Sequence, residues 1–126
     1  MDDVLTIAQA ELGQGVSVDT ERVVEALAEP LRREDGRELY PGVVPKAAAL
    51  LLAILRLRPF GPGNARVALL GTVVFLHRNG LDLQAHDDEL VALVAVAATG
   101  ELTALQTAAA FERFVIRLSP APEDDA

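Results

Sequence analysis

Apolar positions recur along this chain at helical rather than strand spacing. Val4, Ile7 and Ala8 share one face of a segment from Val4 to Leu12, which predicts a first helix with Gly13 as its C-cap. Asp19 is placed to cap a second helix, in which Val23, Leu27 and Leu31 recur every four residues and predict a buried face. Pro30 ends or kinks that helix because it has no N–H to donate. The polar stretch RREDGRELYPG follows, and its Asp35-Gly36 pair signals a tight turn, hence a short hairpin or flap near residues 34–42. KAAALLLAILRL is apolar on nearly every side, as expected of a central helix, with Pro45 at its first helical position. A further helix spans Ala65 to Arg78 and stops at Asn79-Gly80. Another, capped by Asp87, runs to Thr99-Gly100. Thr103 and Gln106 have capping-box spacing and open a last helix that packs through Ala109, Phe111, Phe114, Val115 and Leu118. The pattern predicts an all-α single domain over residues 1–118, followed by a disordered acidic tail, SPAPEDDA, at 119–126.

Composition sharpens this picture without changing it. Half of the 126 residues are hydrophobic but only 4% are aromatic, so the core is built from Ala, Leu and Val, which favours close-packed helices. There is no cysteine, which excludes disulfides and thiolate metal sites, and two histidines alone cannot make a histidine-based zinc site. The acidic amphipathic N-terminus is unlike a signal peptide, and the longest apolar run, Ala47 to Leu55, is too short to span a membrane. The expectation is a soluble, cytoplasmic protein. A net charge of −8 argues against direct nucleic-acid binding.

Charge is unevenly distributed. No acid occurs between Glu38 and Asp82, where Lys46, Arg56, Arg58, Arg66 and Arg78 lie; the other six bases stand against all nineteen acids. Two readings follow: a buried central segment that excludes carboxylates, or a positive pocket suited to a phosphate-bearing ligand.

The stretch RPFGPGNAR, residues 58–66, joins the central helix to the next. Short Gly/Pro loops ordinarily serve as connectors. This one also has the makings of an anion site: Gly61 and Gly63 let N–H groups converge, Asn64 can cap the helix, and Arg66 lies in its first turn. Pro59 and Pro62 subtract two donors. Elsewhere, His77 reads as a solvated or helix-capping residue rather than a catalytic one. His86 beside Asp87 and Asp88 reads as a polar helix start or, less economically, a metal ligand. Tyr40 either anchors the flap or touches a target.

RPFGPGNARVALLGTVVFLHRNGL and the later DDELVALVAVAATGELT together resemble the Fic/Doc (Fido) family, and within it the Doc branch of toxins. The likeness runs from about Ser17 to Leu118. The family motif is His-x-Phe-x-(Asp/Glu)-x-Asn-Lys-Arg; here Phe60, Asn64 and Arg66 match it, as does the small Gly63. The resemblance implies a Fido helical bundle whose loop, through Gly61, Gly63, Asn64 and Arg66, grips nucleotide phosphates. Phe60 is the motif's anchor. It implies transfer of AMP or a phosphoryl group from a nucleotide to a protein hydroxyl, with elongation factor Tu as the Doc target and growth arrest as the result. It also implies an antitoxin-like small protein that inserts a helix into an apolar groove.

Three motif positions depart from the family. Its catalytic histidine falls on Arg58, its acid on Pro62 and its lysine on Ala65. Arginine stays protonated and has no acceptor atom, and proline cannot help hold Mg²⁺. Loss of a general base alone costs about 10²–10⁴ in rate. The reading is therefore a catalytically defective Doc-like protein that acts by binding protein, requires no cofactor and no metal, and binds ATP or another nucleotide weakly. Its rival is an active transferase with a modified mechanism.

Overall fold

A computed structural model describes residues 2–12 and 18–118 of the chain. Six helices dominate the described residues: α1 (Asp2–Leu12), α2 (Thr20–Ala28), α3 (Val43–Leu57), α4 (Asn64–Arg78), α5 (Asp87–Ala98) and α6 (Ala104–Glu112). Two small antiparallel ladders complete them, β1 (Arg33–Glu34) with β2 (Arg37–Glu38), and β3 (Leu81–Leu83) with β4 (Val115–Arg117). The domain is mostly helical, as the hydrophobic pattern predicts. Gly13 and the tail at 119–126 lie outside the described residues.

α3 is the centre of the bundle. It packs against α2, α4, α5, α6 and the 3-10 turn Glu29–Leu31, and Ala47, Ala48, Leu51 and Ile54 are fully buried. Its alanines let neighbouring helices approach closely, so a nearly all-apolar helix finds partners on most sides. α4 packs beside it through Val67, Ala68 and Leu76, and α1 lies on α4 with Val4 and Ala8 buried. The acid-free stretch of sequence thus coincides with the two most central helices.

Local signals explain most element boundaries. The Asp19 carboxylate accepts from the Arg22 N–H at 3.2 Å and caps α2. Thr103 and Gln106 satisfy each other's backbone N–H groups at 3.1 and 2.9 Å, completing the box that opens α6. At the hairpin both Asp35 (φ 52°) and Gly36 (φ 76°) are left-handed, as a two-residue turn between twisted strands requires.

Five expectations are corrected. Leu31 is 71% exposed, because Pro30 tightens the chain into a 3-10 turn and rotates Leu31 off the Val23 face, while Pro30 itself is buried. α3 begins at Val43 with Gly42 (φ 101°) before it, so Pro45 is the third helical residue, where its missing N–H still costs no hydrogen bond. α4 begins at Asn64 after the cap residue Gly63, so Asn64 does not cap. The cap of α5 is His86, whose N–H donates to the Glu89 carboxylate at 3.0 Å, leaving Asp87 in the first turn. Finally, α6 ends at Glu112: Ala109 and Leu118 are exposed, and Val115 belongs to β4 instead. The ladder to β3 supplies the backbone partners that a longer helix would have supplied.

Candidate functional site

The turn between α3 and α4 is held from three sides. Arg58 ends α3 in the left-handed conformation (φ 50°, ψ 52°), its N–H donating to the Ile54 carbonyl at 3.0 Å. Arg22 of α2 reaches the Leu57 carbonyl at 3.2 Å, and the Pro59 carbonyl accepts from the Asp19 N–H at 2.9 Å. Phe60 is 1% exposed and anchors the loop in the core. Gly61 (φ 62°) and Gly63 (φ 86°) then turn the chain into α4.

Asn64 is the clip of this turn. Its side chain is buried, with Oδ1 accepting from the Phe60 N–H at 3.3 Å and Nδ2 donating to the Ile54 carbonyl at 2.8 Å. The residue that matches the motif therefore faces inward and shapes the loop. Internal bonds also consume the N–H groups of Gly61 and Asn64, and that of Arg66 bonds to Gly63. Among the described residues, Gly63 and Ala65 are left with N–H groups that find no acceptor. The expected cradle from Gly61 to Arg66 narrows to these two donors at the start of α4, where the helix dipole is positive. Arg58, Pro62, Ala65 and Arg66 are all exposed.

A cavity of about 470 Å³ opens beside the loop. It runs between α3 and the α5–α6 corner, with Tyr40 and Glu29 at one end, and it meets the loop only at Arg58. Arg56 lies on the same wall, on the α3 face that also carries Ala49, Leu52 and Ala53. Of the five cations in the acid-free stretch, two are committed elsewhere: Lys46 pairs with Glu38 at 2.9 Å and Arg78 with Asp3 at 2.8 Å. Of the other three, Arg56 and Arg58 line this cavity and Arg66 does not. The hydrogen bond and charge of Lys46 hold the Glu38 carboxyl below its usual range.

Tyr40 anchors the flap. Its hydroxyl donates to the Glu29 carboxylate, and its carbonyl accepts from Lys46 Nζ at 2.6 Å. Burial, together with the Glu29 hydrogen bond, pushes the phenol up to about 12. His77 sits at the end of α4 with Nε2 2.6 Å from Asp82 Oδ1, a contact that holds the Asp82 carboxyl down. No three histidine, aspartate or glutamate side chains among the described residues gather into a metal site. Glu29 is the site residue that sequence reasoning passed over. It lies in an ordinary helix end, and only the fold brings it into the same cavity as Arg58. Arg56 had a signal, since it continues the 49, 52, 53 stripe of α3.

No helix among the described residues is long and apolar enough to cross a membrane. No family model matches the chain. Toxin Doc of Mycolicibacterium smegmatis is 35% identical to it over 88 residues, which cover 69% of this chain and 68% of that protein. With that likeness carried over two thirds of both lengths, the chain belongs to the Doc toxin family.

Proposed function

We propose that this protein is a catalytically defective, Doc-like component of a toxin–antitoxin-type module, a Fido-type bundle that acts by binding protein in the cytoplasm and keeps a weak phosphate-binding turn. One observation carries the reading: the inward-facing motif residues Phe60 and Asn64 hold the loop in a closed turn that leaves the N–H groups of Gly63 and Ala65 without an acceptor among the described residues, while the outward-facing positions are Arg58, Pro62 and Ala65. The framework of the motif is kept and its chemistry is gone. Arg58, at the place of the family's base, has no lone pair with which to accept a proton. Phosphate affinity rests on the Gly63 and Ala65 N–H groups, the α4 dipole and Arg66, without lysine or metal-linked acid.

An active transferase would need another base. Glu29 is the carboxylate on the cavity wall, but it already accepts from Tyr40 and lies 3.5 Å from Arg32. Incubation with γ- or α-labelled ATP, Mg²⁺ and a cell lysate is therefore expected to transfer no label to any protein. Stoichiometric labelling of one discrete protein, lost in Arg58→Ala or Glu29→Gln, would replace this reading with the transferase.

A further inference from the structure

The two edges of the β3–β4 ladder are finished differently. The N–H of Leu118 donates to the Gly80 carbonyl at 2.9 Å, and that of Gln84 to the Phe114 carbonyl at 2.7 Å. In an antiparallel pair the bonded partners recur at every second residue, so Asp82 and Ile116 also turn their backbone groups toward each other. The N–H and C=O groups of Val115 and Arg117 therefore point off the outer edge of β4, and they find no partner among the described residues. At β3 the N–H of Leu83 is taken up by the Asp82 carboxylate at 2.9 Å, and the strand also packs on α4. β4 packs extensively on β3 alone among the described elements. Alternation puts Ile116 and Leu118 on one face, 43% and 38% exposed. Phe114, whose carbonyl continues the register, precedes them half-buried, with the Arg113 guanidinium 5.3 Å from its ring centre.

An open strand edge is completed by another strand. For a second copy of this chain, bonding and charge together decide the fit. Only the odd-numbered residues offer groups on the open edge, so an antiparallel copy must set odd residues against odd ones. Placing Arg117 on Arg117 puts like charges directly opposite. Placing Val115 on Val115 puts Arg117 opposite Arg113, with the same result. The remaining alignment pairs Val115 with Arg117 in both directions. It lays Ile116 on Ile116 and Phe114 on Leu118, so the exposed apolar row closes on itself. We propose that this chain self-associates through antiparallel pairing of β4 with β4 of a second copy, in the register that centres the two-fold axis on Ile116. The pairing joins two two-stranded ladders into one sheet, in the order β3–β4–β4–β3. β3 follows the C-terminal end of α4, whose 15 residues span about 22 Å, so the pairing edge and the candidate loop lie at opposite ends of that helix. So short a pairing buries far less than the roughly 1,200 Å² of a stable interface, which makes the dimer a transient one. A net charge of −8 on each copy opposes it further, and added salt strengthens it.

The chain has no cysteine, so one introduced thiol can cross-link only between copies. In the proposed register the two Ile116 positions form a non-hydrogen-bonded pair with Cα atoms about 4.5 Å apart, within reach of a disulfide. The two Leu118 positions are similarly exposed but lie far from each other. Under mild oxidation Ile116→Cys is expected to form a disulfide dimer about tenfold or more faster than Leu118→Cys. In sedimentation the mean mass of the wild-type chain should rise between about 10 µM and about 1 mM. Ile116→Lys, which faces Asp82 within its own ladder and sets two ammonium groups on the axis, should abolish that rise without lowering the melting temperature. If Ile116→Lys does not fold, Ile116→Asn carries the same comparison. A monomer throughout the range, equal cross-linking at 116 and 118, or a rise in mass that survives Ile116→Lys overturns the inference. A thiol at 116 that resists maleimide in the monomer and reacts once residues 119–126 are deleted overturns the proposed occupant in favour of the chain's own end. None of these outcomes bears on the protein-binding reading above.

Discussion

At the scale of single residues, Asn64 shows how a motif position can be read for the right place and the wrong reason. Its identity and spacing mark it in the sequence as a helix cap at an anion site, yet its side chain ties Phe60 to Ile54 in the interior. Asn64→Ala leaves the buried Phe60 N–H without its acceptor, which costs about 1–3 kcal/mol. Thermal or urea unfolding of that variant should show the loss, whereas Pro62→Ala, at an exposed position, should leave stability nearly unchanged. Phe60 is legible from the sequence because a large aromatic inside a Gly/Pro loop has few places to go. The inward turn of Asn64 is not, because it depends on a carbonyl ten residues earlier that only the folded turn brings close. Tyr40 offers a second residue-scale test. Its pKa is raised from 10 to about 12 by burial and by the hydrogen bond to Glu29, so keeping the phenol neutral in the fold contributes stability that is complete below pH 10 and is lost as pH rises through 12. With one tyrosine and no tryptophan in the chain, phenolate absorbance reports on this group alone. Its titration midpoint should fall back toward 10 in Glu29→Gln, where the neighbouring negative charge is gone. An unchanged midpoint would leave burial as the sole cause.

At the scale of elements, the strongest sequence signals are those that local chemistry satisfies on its own. The Thr103–Gln106 box, the Asp19 cap and the Asp35-Gly36 turn each need only neighbours within four residues, and each forms as its spacing predicts. Thr103→Ala removes the acceptor for the Gln106 N–H and should cost about 1 kcal/mol, seen as a lower melting temperature without change of fold. Thr103→Asn should recover most of it. What escapes the sequence is long-range. β3 and β4 are three residues each, and their LDL and VIR patterns carry too little alternation to stand apart from the helices around them. Leu31 fails for a related reason. A four-residue period assumes an unbroken helix, and Pro30 breaks the phase one residue earlier. The candidate site divides in the same way: the loop is readable because it is contiguous, while the cavity is assembled from four separate stretches of chain.

At the scale of the whole molecule, charge is sorted by depth. The central helices α3 and α4 contain no acid, so all nineteen acids lie in the rest of the chain. Mutual repulsion among those surface acids opposes folding, and salt screens it within about 10 Å at 0.1 M. The melting temperature should therefore rise as sodium chloride is added from low ionic strength. A fall instead would mean that ion pairs such as Arg78–Asp3 and Lys46–Glu38 outweigh the repulsion.

The β3–β4 ladder has a kinetic meaning. Leu81 pairs with Arg117 and Leu83 with Val115, so the chain carrying α5 and α6 is a closed loop clasped at its base by three residues on each side. Closing such a loop costs chain entropy before any contact within it is gained, which places the clasp late in folding. Once closed, it ties the segment carrying α5 and α6 at its base, while α6 packs on α3 and α5 on α3 and α4. Amide hydrogens of α3 and α4 should exchange with solvent at the rate of global unfolding, while those of α5 exchange sooner, through a partial opening that leaves the inner helices intact. Residues 97–104 of that segment line the cavity, so a partial opening of this kind would also widen it.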